Sequence, residues 1–170
     1  MLSPNSTKLV RGLMIAACLA SVSAVAQEVG SRAPMFELAT AAKPVRLGDL
    51  KGQVVYVDFW ASWCAPCKQS FPFMNEMQAK YGPRGFTVIG VTVDRNRADA
   101  DKFLAATPAK FTVGYDPEGK VAELYKPKGM PTSFLIGADG KILSVHVGFK
   151  EGDRDALERE IQSALNAARR

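Results

Sequence analysis

Gln53-Val-Val-Tyr-Val-Asp-Phe-Trp60 runs directly into Ala61-Ser-Trp-Cys-Ala-Pro-Cys-Lys68, so that two different sequence patterns meet between Trp60 and Cys64. The first half of this stretch is almost continuously apolar, the pattern of a strand covered on both faces. Its second half carries Cys64 and Cys67 with two residues between them, and a helical pattern follows to about residue 80. Phe71, Met74 and Met77 recur along one side of that helix. Pro66 suits the first helical turn, where no intrahelical N–H is lost, whereas Pro72 is expected to bend the helix. A buried strand therefore leads into a helix with the cysteine pair at the joint.

Outward from this joint, residues 85–93 form a second buried strand, and residues 96–106 read as a helix with Ala100, Phe103 and Leu104 inward. A short strand at 111–115 and a short helix at 118–125 follow, the helix begun by Pro117 and stopped before Pro127. Ala138-Asp139-Gly140 between the apolar runs 132–136 and 141–147 is a hairpin signal. The last helix, 153–168, places Leu157, Ile161, Leu165 and Ala168 on one stripe. Upstream, short extended pieces at 35–39 and 45–47 are interrupted by Pro34, Pro44 and Gly48. Strands alternating with helices and closed by a hairpin imply an α/β sandwich around a mixed sheet.

The chain has 170 residues, a length that argues for one domain with a short extension. A hydrophobic share of 47% and a charged share of 23% exclude a disordered or fibrous chain. The 22 basic against 17 acidic residues include no long run of one sign, so no nucleic-acid partner is expected. Residues 1–26 read as a secretory signal peptide: Lys8 and Arg11, an apolar run, then Ala24-Val25-Ala26 as the cleavage site. The apolar stretch 12–26 is shorter than the roughly 20 residues of a membrane span. Retention as a membrane anchor, or a lipid anchor on Cys18 of Ile15-Ala16-Ala17-Cys18, are the alternatives. The expected division is a signal peptide at 1–26 and one domain at 27–170, working in the periplasm, where disulfides persist.

Beyond residue 26 remain Cys64, Cys67 and one histidine, His146. A structural zinc site needs four ligands, so no metal site is expected. A c-type haem needs histidine directly after the second cysteine, where Lys68 stands. Dithiol–disulfide exchange fits, because a helix N-terminus stabilises a thiolate at Cys64. Cys64 is expected to be the exposed nucleophile and Cys67 the thiol that resolves the mixed disulfide. An inert structural disulfide would close so small a loop that it adds little stability.

Val57-Asp-Phe-Trp-Ala-Ser-Trp-Cys-Ala-Pro-Cys-Lys68 resembles the active-site segment of the thioredoxin superfamily, and Met130-Pro131-Thr132 is similar to its cis-proline loop. The resemblance implies that Pro131 is cis and packs against the dithiol, leaving the Met130 backbone free to pair with an extended substrate. Pro72 fills the family's proline position in the helix. Gly30-Ser-Arg-Ala-Pro-Met-Phe-Glu-Leu38, Asp49-Leu-Lys-Gly52 and the long interval from Cys64 to Pro131 look like the TlpA/ResA-like (DsbE-like) branch. That branch comprises secreted or membrane-tethered bacterial thiol–disulfide oxidoreductases.

Membership implies a thioredoxin-like sandwich: a central mixed β-sheet with helices on both faces, an N-terminal extension and a central insertion. It implies a reductase of protein disulfides, as in cytochrome c maturation, metal-site assembly or redox homeostasis. Partners would be cysteine-containing secreted proteins and a membrane electron donor of the DsbD/CcdA type, the protein itself being a monomer. No cofactor is expected beyond the Cys64–Cys67 disulfide. Trp63, Pro66, Met130 and Thr132 are the expected substrate contacts.

The chain departs from that branch at Ser70, where a glutamate is common, and at Asp58, six residues before Cys64, where thioredoxin has its buried acid. A carboxyl buried behind Cys67 would have a raised pKa and could take that thiol's proton. The general-base role is therefore expected at Asp58 and not at Ser70. Trp60 is expected to pack in the core, and His146 to take no catalytic part. Two other functions remain open: a copper carrier using Cys64, Cys67 and Met130, and a thiol peroxidase. The peroxidase reading lacks the Pro-x-x-x-Thr-x-x-Cys setting in residues 57–64.

Overall fold

The computed structural model describes residues 28–170; the expected signal peptide lies outside the described residues. Seven strands and four α-helices follow in order. They are β1 (Glu37–Leu38), β2 (Val45–Arg46), β3 (Val54–Trp60), α1 (Ala65–Tyr81), β4 (Phe86–Thr92) and α2 (Arg97–Ala106). Then come β5 (Thr112–Tyr115), α3 (Lys120–Tyr125), β6 (Thr132–Ile136), β7 (Ile142–Val147) and α4 (Arg154–Ala167).

Five strands make one mixed sheet in the order β5-β4-β3-β6-β7. β3, β4 and β5 run parallel, and β6 and β7 are antiparallel to their neighbours. All seven residues of β3 and all five of β6 are buried, the polar Asp58, Thr132 and Ser133 included, as central strands covered on both faces require. Alternation along β3 divides the core. Val54, Tyr56 and Trp60 face a cluster with α1, α4 and Ala100 of α2. Val55, Val57 and Phe59 face a cluster with Val121 and Tyr125 of α3 and with Ala33, Phe36, Leu38 and Leu47 of the N-terminal segment. Helices cover both faces, as expected, and the long interval between β4 and β6 holds α2, β5 and α3.

The N-terminal segment is tied to the sheet. Gly30 N–H donates to the Ile142 carbonyl at 2.8 Å and Ala33 N–H to that of Gly140 at 3.0 Å. Leu38 packs so closely on β5 that a Cβ at Gly114 would stand 2.8 Å from its Cδ1. Helix α1 continues across Pro72 to Tyr81. Several boundaries shift by one or two residues from the expected ones. Helix α3 starts at Lys120, because Gly119 takes a left-handed conformation (φ 71°) that ends the preceding turn. The inner stripe of α4 is Leu157, Ile161, Ala164 and Leu165; Ala168 lies past the helix end at Ala167 and is exposed.

Among the described residues no helix is long and apolar enough to cross a membrane.

Candidate active site

Strand β3 delivers the chain at Trp60 to a tight turn, in which Cys64 N–H donates to the Ala61 carbonyl at 3.1 Å. Cys64 then takes the N-cap position of α1 in extended conformation (φ −91°, ψ 103°), and its Sγ accepts the Cys67 N–H at 3.2 Å. This is how a helix satisfies one of its free N-terminal donors. Pro66 in the first turn has no donor to satisfy. The same turn brings the two sulfurs together as a Cys64–Cys67 disulfide, with Cα atoms 5.3 Å apart.

Cys64 is not the exposed thiol that its place at the helix start predicts. Cys64 is 5% exposed and Cys67 is 0% exposed. The N-cap geometry turns the Cys64 side chain back over the first helical turn, where it joins the core cluster containing Phe71 and Met74. The residues that do face solvent are Trp63, 72% exposed, with Ala65, Pro66 and Lys68. A shallow depression beside Cys64 is completed by Phe103, Ala106 and Thr107 from the end of α2, none of which the sequence singled out for this site.

The turn before Cys64 is fixed from β4. The carboxyl group of Asp94 accepts the N–H and the Oγ–H of Ser62 and the Oγ–H of Thr92, each at 2.8 Å. Sequence reading missed Asp94. Its signal was a lone acid two residues beyond a buried strand, at the sheet end that carries the cysteine turn.

The Met130–Pro131 peptide bond is cis. β6 begins beside it, with Thr132 paired to Phe59 of β3 and to Val147 of β7. Pro131 is buried, and its carbonyl accepts the Gly148 N–H at 2.7 Å. Met130 is half-buried and packs against the core cluster that contains both cysteines. Thr132, expected among the substrate contacts, is 1% exposed, and its hydroxyl donates to the Gly129 carbonyl at 2.7 Å. Its side chain holds the loop from inside.

Asp58 is 1% exposed. Its neighbours Val57 and Phe59 face the other cluster, so alternation turns its carboxyl toward the side of the sheet that holds Cys64 and Cys67. Burial pushes its pKa up to about 7, against a smaller lowering by the Ser133 hydroxyl. Ser133 Oγ donates to Oδ1 at 2.7 Å, and Oδ2 has no hydrogen-bond partner among the described residues. A carboxyl group so placed changes charge near neutrality, the property a proton acceptor needs. Tyr56, on the same face, has its ionisation suppressed by burial first and by Asp58 second.

Ser70 donates to the Cys67 carbonyl at 3.0 Å, inside the helix. His146 Nε2 lies 3.4 Å from Asp153 Oδ2. Trp60 is fully buried. Among the described residues, no three His, Cys, Asp or Glu side chains lie together in a way that could hold a metal ion.

The family model for Redoxin matches residues 28–161. Thiol-disulfide oxidoreductase ResA from a strain of Bacillus cereus is 35% identical over 136 residues, covering 79% of this chain and 78% of that protein. ResA from Bacillus subtilis (strain 168) is 35% identical over 120 residues, covering 70% and 67%. A crystal structure from Chlorobium tepidum, assigned as a thiol:disulfide interchange protein DsbE, superposes with a TM-score of 0.81 at 54% identity, over 82% of this chain and 99% of that one. A second Chlorobium tepidum structure, a thiol:disulfide interchange protein of the thioredoxin family, gives a TM-score of 0.70 at 29% identity, over 82% and 99%.

Proposed function

The chain belongs to the Redoxin family, among the ResA/DsbE-like thiol–disulfide oxidoreductases of the thioredoxin superfamily, and from that premise we propose that it reduces protein disulfides in the periplasm. The observation that carries this reading is the Cys64–Cys67 pair at the start of α1, flanked by exposed Trp63, with Asp58 buried on the same side of the sheet. Exit by way of a cleaved signal at 1–26 supplies the compartment.

In the forward reaction the reduced Cys64, as thiolate, attacks one sulfur of a substrate disulfide. The Cys64–substrate bond forms as the substrate S–S bond breaks, and one substrate thiolate leaves with the electron pair. Cys67 then gives its proton to the Asp58 carboxylate and attacks Cys64 Sγ. The Cys64–Cys67 disulfide forms, the second substrate thiolate leaves, and two electrons have passed to the substrate. The helix N-terminus favours the Cys64 thiolate, and the substrate's own extended backbone pairs beside Met130, as family resemblance implies. Re-reduction takes two electrons from a dithiol of a DsbD/CcdA-type membrane donor. Cysteine-bearing secreted proteins are the substrates, and Trp63 with Pro66 forms the apolar lip that receives them.

Insulin disulfide reduction by the pre-reduced chain tests this reading. Stoichiometric reduction that disappears in both Cys64→Ser and Cys67→Ser supports it. Failure to reduce insulin or a cysteine-bearing apocytochrome peptide, with tight Cu(I) binding in its place, would turn the reading toward a carrier.

A further inference from the structure

Asp58 sits between two strands that treat it differently. On β4 its partner is Gly90, which has no side chain; a Cβ there would meet Phe111 Cε2 at 2.8 Å and Trp60 Nε1 at 3.1 Å. On β6 its partner is Ser133, itself buried. The sheet therefore offers the carboxyl one side-chain donor, and that donor is used: Ser133 Oγ–H to Oδ1 at 2.7 Å. The second oxygen, Oδ2, is buried and carries no bond among the described residues.

We propose that Ser133 is a positioning residue of the exchange reaction, holding Asp58 through Oδ1 so that Oδ2 alone is presented to the Cys67 proton. This rests on the reading of Asp58 as the proton acceptor. A carboxyl group with both oxygens bonded would be a poorer acceptor, and one with neither bonded would be free to rotate and would ionise at a higher pH. One hydroxyl on one oxygen avoids both. In the step itself Cys67 Sγ–H passes its proton to Oδ2, the sulfur bonds to Cys64, and the bond from Cys64 to substrate breaks toward the substrate sulfur.

Other groups on this face do not replace Ser133. Tyr56 lies two residues along β3 and is kept neutral by burial first and by the Asp58 charge second, against a smaller opposing effect of the Ser133 hydroxyl. His146 of β7 is paired in register with Ser133, but its ring approaches Asp153. Glu160 of α4 accepts from Ser144 of β7 at 2.6 Å. Cys67 of α1 and Cys64 at its N-cap lie in the cluster on this face, as does Tyr81 at the far end of α1, whose hydroxyl donates to Glu158 of α4.

The test is a carboxyl NMR titration of Asp58 in the full chain, paired with the pH profile of single-turnover insulin reduction, for the wild type, Ser133→Ala, Ser133→Thr and Asp58→Asn. Ser133→Ala should move the Asp58 midpoint and the reaction profile upward together, by about one pH unit for a lost hydrogen bond to a carboxylate. Ser133→Thr, which keeps the hydroxyl, should restore both, and Asp58→Asn should lose the inflection. If Ser133→Ala leaves midpoint and profile unchanged, the positioning role is overturned while Asp58 keeps its own. If Asp58→Asn retains the wild-type profile, Asp58 is not the acceptor, and both readings fall.

Discussion

Asp94 grips Ser62 twice, accepting its backbone N–H and its hydroxyl at 2.8 Å each, and so ties the turn before Cys64 to the end of β4. Thr92 adds a third bond to the same carboxyl group. At roughly 1 kcal/mol per hydrogen bond, Asp94→Ala should lower stability by about 3 kcal/mol. Urea denaturation measures that loss. The reductase kcat/KM should fall with it, because the turn that aims Cys64 loses its anchor, whereas Asp94→Asn should fall between the two.

The buried carboxyl of Asp58 makes stability depend on pH with a definite sign. Its folded pKa of about 7 stands above the ordinary value of 3.8, so the folded chain holds a proton that an unfolded chain has released. Stability therefore falls as pH rises from about 4 to about 7, and levels off above that. The full loss is about 4 kcal/mol, at roughly 1.36 kcal/mol per unit. Asp58→Asn removes this dependence: chemical denaturation should show the variant more stable than the wild type at pH 8, with the advantage gone at pH 4. An advantage equal at both pH values would contradict the burial argument.

Trp63 is 72% exposed, so its removal should cost little stability. Trp63→Ala is expected to stay within about 0.5 kcal/mol of the wild type in thermal unfolding, as surface substitutions do. Its effect should emerge as a raised KM for protein disulfides. Reduction of a small disulfide, such as oxidised glutathione, should be much less affected, because it needs no apolar lip.

These residues also mark what the sequence could convey. The buried strand at β3, the helix opening at Cys64 and the Asp139-Gly140 hairpin were legible because each is a local pattern of period or turn chemistry. The burial of Asp58 was legible from its apolar neighbours. The bond that Ser133 makes to it was not, since 75 positions separate the two residues and only the β3–β6 register brings them together. Asp94 escaped for the same reason, 32 positions from Ser62. The burial of Cys64 was missed because a position at a helix start says nothing of the core packed over it, here with Met130 against the same cluster.

In the proposed exchange Cys64 attacks and Cys67 resolves. Mixing each reduced single-cysteine variant with a disulfide-bearing peptide and weighing the adducts by intact-protein mass spectrometry separates the two roles. Cys67→Ser should accumulate a stable mixed disulfide through Cys64, and Cys64→Ser should form little or none. Trapping by Cys64→Ser, with none by Cys67→Ser, would reverse the assignment.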